Sequence, residues 1–137
     1  MLYFAYGANV NQRNIKRHAP RARAIGVARL AGYKLVFKQF ADIVKDPKGA
    51  VTGVLYELTP ACELALDRYE DVPKLYRKLA VTVESDQGPG EAMVYVMNGG
   101  EKAPPELGYF NIIARGYADW KLDAKILRDA RFATLRR

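Results

Sequence analysis

Tyr3-Phe4-Ala5-Tyr6-Gly7-Ala8-Asn9-Val10 is an apolar run that passes through a glycine into a polar and basic segment. This order predicts a strand over residues 2–6, a turn at Gly7 and a helix for which Asn11 is a suitable N-cap. The first N–H groups of such a helix have no partner within it and lie at the positive end of its dipole. The stretch therefore predicts a cradle of N–H groups for a carboxylate or phosphate, the alternative being an ordinary turn that binds nothing.

Gly7 is the residue on which this cradle depends. Because glycine lacks a Cβ, we expect Gly7 to adopt a positive φ and to let a ligand come close to the main chain. Val10 and Ile15 have the spacing of a hydrophobic staple, which would fix the direction of the following helix.

The basic residues are concentrated near this stretch. Residues 1–41 contain eight Lys or Arg and no Asp or Glu, whereas the remainder contains 14 basic and 15 acidic residues. Such a field would raise the local concentration of an anionic ligand. A nucleic acid is the rival ligand, although no helix-turn-helix, zinc-finger or aromatic RNP pattern occurs, and a solvated basic face is the third interpretation. The basic residues next to the turn are Arg13, Lys16, Arg17, Arg21 and Arg23.

The length and composition fit one domain spanning residues 1–137, since 50% of the residues are hydrophobic and can form a core. The sequence shows no charged-then-apolar leader and no run of roughly 18 apolar residues, so we expect a cytoplasmic protein without membrane contact. Cys62 and His18 are alone of their types, which disfavours a disulfide or a Cys/His metal site. The only serine, Ser85, is distant from His18 in sequence, which disfavours a serine hydrolase.

The pattern of apolar residues predicts five or six strands, mostly antiparallel, with separate helices between them. Gly32 separates two strands, Lys45–Gly49 has the composition of a loop, and Gly53 marks a bulge or a close approach of backbones. We expect an α+β domain whose small, mostly antiparallel sheet curls into a barrel with flanking helices. The predicted strands are 2–6, 23–30, 33–38, 51–58, 78–84 and 93–97, and the predicted helices begin near Asn11, Thr59, Leu107 and Asp123.

Glu70 is the candidate for chemistry. Thr59 and Pro60 are a strong helix-start signal, and Glu70 closes that helix on the flank of its apolar face. Burial there would raise the carboxyl pKa toward neutrality, which suits general acid/base catalysis. The alternative is a solvent-facing acid paired with Arg68 or Lys74.

Several tyrosines could form the walls of a pocket while offering hydroxyl groups, although tyrosines in a core usually pack and find one hydrogen bond. The candidates are Tyr6, Tyr69, Tyr76 and Tyr109.

Three spaced motifs carry a family resemblance. The first is the stretch from Tyr3 to Val10; the second combines Gly53-Val54-Leu55-Tyr56 with Leu66-Asp67-Arg68-Tyr69-Glu70-Asp71-Val72. The third combines Ala103-Pro104-Pro105 with Tyr109 and Ile112-Ile113. Over roughly residues 2–118, the chain resembles the γ-glutamylcyclotransferase-like proteins, in which the first motif reads YGSN and the second ends in the catalytic glutamate.

The resemblance implies that the chain is an enzyme. In the implied reaction, the α-amine of a γ-glutamyl group attacks its own γ-amide carbonyl, which gives 5-oxoproline and a free amine or amino acid without a cofactor. Glu70 would move the protons, and Tyr109 would line the pocket together with Tyr6 and Tyr76. The N–H groups of Gly7, Ala8, Asn9 and Val10 would bind the glutamyl end of this small-molecule substrate.

Two residues depart from the family pattern. Ala8 stands where the family usually has serine, so a hydroxyl contact is lost while the backbone N–H remains. Asp71 stands where glycine is frequent, and we expect its charge to raise the pKa of Glu70 further.

Two other functions remain open at the level of sequence: a non-catalytic protein that binds small anions or γ-glutamyl compounds, and a basic nucleic-acid-binding domain. The leaving group and the oligomeric state are not encoded in any motif.

Overall fold

The computed structural model describes residues 1–135, which form five strands and four helices. The strands are β1 (Leu2–Ala5), β2 (Arg23–Lys38), β3 (Phe40–Glu57), β4 (Tyr76–Ser85) and β5 (Gly88–Met97). The helices are α1 (Gln12–His18), α2 (Pro60–Tyr69), α3 (Leu107–Asp119) and α4 (Ala124–Ala133), and a 3₁₀ turn over Ala8–Val10 precedes α1. Within this described part of the chain, no helix is long and apolar enough to span a membrane.

The five strands close into a barrel in the order β1-β3-β2-β4-β5. All neighbouring strands are antiparallel except β1 and β5, which pair in parallel where Tyr3 meets Met93. The predicted hairpin is confirmed as β4 and β5. The predicted α+β class with a small, mostly antiparallel barrel is also confirmed.

Two predicted breaks, at Gly32 and at Lys45–Gly49, lie inside the long strands β2 and β3. The prediction that they end strands was wrong, because the pairing of β2 with β3 resumes beyond both. The pairing moves from Ala31 with Ala50 to Tyr33 with Lys45, so residues 46–49 bulge out of the ladder. Gly32, with φ of +85°, supplies the matching bend.

Helix starts follow the predicted signals. The side chain of Asn11 accepts hydrogen bonds from the N–H groups of Arg13 and Asn14, and that of Thr59 accepts one from Cys62 N–H. Asp123 caps α4 in the same way. Because α2 begins at a fixed residue and runs for ten residues, its C-terminal cap falls on Glu70.

Close approaches of backbone to backbone position the segment that follows β1. A Cβ on Gly53 of β3 would clash with the carbonyl oxygen of Ala5, and one on Gly116 of α3 would lie 2.6 Å from the nitrogen of Asn11. The close approach predicted at Gly53 is therefore confirmed. The segment between Ala5 and Asn11 is consequently packed between the barrel wall and α3.

Replacing Gly53 by alanine should destabilise the protein by at least about 2 kcal/mol, because the added methyl group has no space unless β1 and β3 separate. Urea unfolding measures this change. Gly90→Ala in β5 is the matched control: no atom lies within 4 Å of its added Cβ, and its stability should stay the same or rise slightly. Equal effects of the two substitutions would contradict the close approach.

Candidate active site

A cavity of about 190 Å³ opens at one end of the barrel. It is bordered by the segment after β1, the turn between β2 and β3, the C-terminal end of α2 and the first turn of α3. Its walls contain one carboxylate and six tyrosines. The lining residues are Tyr3, Tyr6, Gly7, Ala8, Asn9, Phe40, Ala41, Tyr69, Glu70, Leu75, Tyr76, Tyr95 and Tyr109.

The structure brings together all but one of the residues that the sequence analysis selected for the site. Glu70, the segment Gly7–Asn9 and the selected tyrosines Tyr6, Tyr69, Tyr76 and Tyr109 line the same cavity. Val10 does not line it. Its side chain is fully buried in the core, and its N–H donates to the carbonyl of Gly7 at 3.0 Å, so this N–H is not free for a ligand.

Glu70 is a carboxylate with no counter-ion among the described residues. Its N–H closes α2 by donating to the carbonyl of Leu66 at 2.8 Å, which directs the residue to the end of the helix. Among residues 1–135, no hydrogen bond or ion pair involves its carboxylate, so the alternative pairing with Arg68 or Lys74 is not present. Burial raises the pKa of Glu70 to about 7.

Asp71 was expected to raise the pKa of Glu70, but it does not. Its side chain is exposed, and its backbone turns away from the helix with φ of +53°. Burial alone accounts for the raised pKa of Glu70, because water screens the charge of an exposed neighbour.

Gly7 is required for space rather than for an unusual φ. Its φ is −113°, so the expected positive value was wrong. A Cβ at this position would lie 3.1 Å from the Cβ of Ala41 and 3.8 Å from the hydroxyl of Tyr109. Within the 3₁₀ turn, the first N–H groups to donate are those of Val10 and Asn11. The N–H groups of Gly7–Asn9 precede them and have no acceptor within the turn.

A buried asparagine network joins this segment to the end of α2. The amide of Asn14 donates to the side-chain oxygen of Asn9 at 2.9 Å and to the hydroxyl of Tyr69 at 3.3 Å. The amide of Asn9 donates in turn to the hydroxyl of Tyr3 at 3.1 Å, while Tyr56 donates to the Asn9 carbonyl at 2.8 Å. The network fixes the position of Tyr69, the residue before Glu70, relative to the N–H groups of Gly7–Asn9. The sequence analysis missed Asn14. The only local signal for its role was that it is a polar residue in a helix that must pack against the rest of the protein.

Three of the six tyrosine hydroxyls use their only proton within the protein. Tyr6 donates to the carbonyl of Tyr95 and Tyr76 to the carbonyl of Ala41, each at 2.6 Å. Tyr95 donates to the carboxylate of Asp67 at 2.7 Å. A hydroxyl has one proton to give, so these three side chains form walls and can only accept from a ligand.

The other three hydroxyls, those of Tyr3, Tyr69 and Tyr109, accept hydrogen bonds and keep a proton for a ligand. Their donors are the amides of Asn9 and Asn14 and the N–H of Ala41, respectively. Burial, with a further contribution from the charge of Glu70, raises the pKa of each of these tyrosines, so all three stay protonated near neutral pH. Tyr69 and Tyr109 were selected from the sequence, and Tyr3 was not.

The basic residues expected to attract an anion lie elsewhere. Arg13 and Arg17 line a separate cleft together with Arg115 of α3. No Lys or Arg is among the described residues that line the cavity. An anionic group in the cavity would therefore be bound by backbone N–H and tyrosine hydroxyl groups. No group of three or more His, Cys, Asp or Glu within residues 1–135 is arranged to hold a metal ion.

The closed barrel and its tyrosine-lined cavity define a small α+β protein with a site for a small molecule. The family described as "Gamma-glutamyl cyclotransferase, AIG2-like" matches residues 3–120, and the chain belongs to this family. The family expected from the sequence motifs is thus confirmed.

Known relatives agree with this assignment. Gamma-glutamylcyclotransferases from Homo sapiens and Bos taurus are 32% and 31% identical to this chain over 129 aligned residues, covering 84% of this chain and 69% of each relative. A solved structure of a gamma-glutamyl cyclotransferase superposes with a TM-score of 0.86 at 29% identity, covering 95% of this chain and 85% of the other. The chain is accordingly an enzyme of the gamma-glutamylcyclotransferase kind, as the sequence motifs implied.

Replacing Gly7 by valine should raise KM at least ~10-fold, because the branched side chain would displace Ala41 or Tyr109 and deform the site. Ala8→Ser is the matched control. It adds one small polar atom, leaves the backbone N–H in place and should change KM less than ~3-fold, which corresponds to well under 1 kcal/mol. Small and equal effects of both substitutions on KM would contradict a backbone-built binding site.

Proposed function

We propose that the protein converts a γ-glutamyl amine or γ-glutamyl amino acid into 5-oxoproline and the free amine or amino acid, with Glu70 as the general acid/base. The observation that carries the proposal is the Glu70 carboxyl, which lines the cavity, has no counter-ion in the part of the chain that the structure describes, and has a pKa raised by burial to about 7. A group with this pKa can accept and return a proton near neutral pH with little driving force lost in either direction.

The proposed reaction is an internal transamidation of the glutamyl group. Glu70 takes a proton from the substrate's α-amine, whose nitrogen then forms a bond with the γ-carbonyl carbon. The bond between that carbon and the leaving nitrogen breaks as Glu70 returns the proton to the leaving nitrogen. Apart from proton transfers, the products contain the same atoms as the substrate, so the proposed step needs no oxidant, reductant or added cofactor.

Positioning supplies much of the acceleration in this proposal. The reacting amine and carbonyl belong to one molecule, and well-oriented intramolecular reactions reach effective molarities of ~10⁵ to 10⁸ M. The N–H groups of Gly7–Asn9 would bind the α-carboxylate of the glutamyl group. The hydroxyl protons of Tyr3, Tyr69 and Tyr109 are available for the carboxylate or for the oxygen of the reacting carbonyl, since each hydroxyl already accepts a bond from the protein.

The size of the cavity favours a small substrate. Pockets for drug-sized ligands typically measure roughly 300–1,000 Å³, and this cavity measures about 190 Å³. A glutamyl group fits this space better than a nucleic acid does, and we expect no nucleic-acid partner and a cytoplasmic site of action. A non-catalytic γ-glutamyl-binding protein is the alternative that turnover measurements distinguish.

Glu70→Gln should lower kcat by ~10²-fold or more and leave KM within a few fold, because the amide keeps the size of the side chain but cannot exchange a proton. Release of 5-oxoproline from a panel of γ-glutamyl compounds provides the assay. The exposed neighbour provides the control: Asp71→Asn should retain kcat within about twofold, as expected for a surface substitution.

Other results would assign Glu70 a different role. A raised KM with normal kcat would mean that Glu70 only binds the substrate's ammonium group. Near-normal values of both parameters on a confirmed substrate would refute the proposed mechanism.

The ionisation of Glu70 should determine how both activity and stability change with pH. Because the base must be ionised, kcat/KM should fall about tenfold per pH unit below about pH 7. The pKa is raised on folding, so the carboxyl stabilises the fold below its unfolded pKa and this stabilisation is lost as the pH rises through 7. Relative to Glu70→Gln, the wild type should therefore lose up to about 3 kcal/mol of unfolding free energy between pH 4 and pH 8. Parallel stability curves from urea unfolding would contradict the burial of this carboxyl.

A further inference from the structure

An apolar aromatic wall at the cavity has no part in the proton transfers assigned to Glu70. Phe40, the first residue of β3, lines the cavity although 36% of it is exposed. Its ring meets the ring of Tyr109 edge to face, with centroids 5.6 Å apart and an interplanar angle of 89°. Single exposed aromatic residues are common on proteins and need no function. Phe40 differs because it borders the site and packs on one of its tyrosines.

The turn that carries Phe40 is fixed on both sides. Gln39, at φ of +70°, donates its N–H to the carbonyl of Ala103 at 2.9 Å, and Ala103 N–H donates to the carbonyl of Phe37 at 3.1 Å. On the other side, the N–H of Ala41 donates to Tyr109 and its carbonyl accepts from Tyr76. A ligand that packs on Phe40 would therefore lose little binding free energy to ordering this turn, because the hydrogen bonds already fix it.

The charges of the cavity restrict what can pack there. Among the described lining residues, Glu70 is the only charged side chain, and no Lys, Arg or His accompanies it. A leaving group that carries an extra carboxylate would approach the Glu70 carboxylate without a compensating cation, which is unfavourable. A cationic leaving group would compete with the substrate's own α-ammonium group for the same carboxylate.

We propose that Phe40 and Tyr109 form a subsite for the leaving group and select γ-glutamyl compounds whose leaving group is apolar, with aromatic groups preferred. This inference rests on the proposed function, because it concerns the group attached to the γ-carbonyl. Phe40 is in this reading a specificity-determining residue that takes no part in the proton transfers.

The test compares kcat/KM, measured by 5-oxoproline release, for γ-glutamyl-phenylalanine, γ-glutamyl-alanine, γ-glutamyl-aspartate and γ-glutamyl-arginine. The phenylalanine compound should be preferred over the alanine compound by about tenfold, the preference expected from packing of one aromatic ring. Phe40→Ala should reduce this ratio by about tenfold, and Phe40→Leu should reduce it less, since leucine retains apolar area. Leu64→Ala, an exposed apolar residue of α2 that does not line the cavity, should leave the ratio unchanged.

The outcomes separate this inference from the function on which it rests. No 5-oxoproline from any compound with the wild type would refute the proposed function. Turnover of all compounds with a phenylalanine-to-alanine ratio near one, or with the aspartate or arginine compound preferred, would overturn the subsite while the function stands. A uniform loss of kcat/KM for all four compounds in Phe40→Ala and Phe40→Leu would also overturn it, because that is the effect of a purely structural residue.

Discussion

Direct contact between backbones at Gly53 and Gly116 is the constraint on which the site depends. Because neither residue has a Cβ, β3 and α3 approach the chain on either side of the segment between Ala5 and Asn11. Hydrogen bonds then fix the segment, since Trp120 donates to the carbonyl of Val10 at 3.1 Å and Asn11 to that of Ile112 at 3.0 Å. The N–H groups of Gly7–Asn9 thus belong to a rigid element of the fold.

The site combines this rigid backbone with a destabilised carboxylate. Burying a charge without a partner is unfavourable, and the raised pKa of Glu70 records that penalty. A cation placed beside Glu70 would stabilise the charged form and lower its basicity. The nearby acid Asp67, by contrast, has partners: it accepts from Tyr95 and pairs with Lys78 at 2.9 Å. Asp67 and Glu70, three residues apart, therefore have different environments: Asp67 is paired, whereas burial raises the pKa of Glu70.

Sequence patterns predicted what depends on local chemistry. Asn11 and Thr59 were identifiable as helix caps because capping depends on neighbours a few residues away. Glu70 followed from the length of its helix and from a motif. The role of Asn14 was not predictable, because its partners Asn9 and Tyr69 meet it only after folding. The φ of Gly7 was predicted wrongly for a related reason: its requirement for glycine comes from a strand more than 30 residues away.

The way in which the barrel closes has a consequence for its dynamics. Strand β1 pairs with β3 through four residue pairs, from Leu2 with Glu57 to Ala5 with Val54, but meets β5 in register only where Tyr3 faces Met93. Segments with few backbone hydrogen bonds open at lower free energy than the rest of a fold. We therefore expect β1 to separate from β5 more readily than from β3. Such a motion would move Tyr3 away from Tyr95, whose ring centroids lie 5.6 Å apart, and so widen the cavity that both residues line.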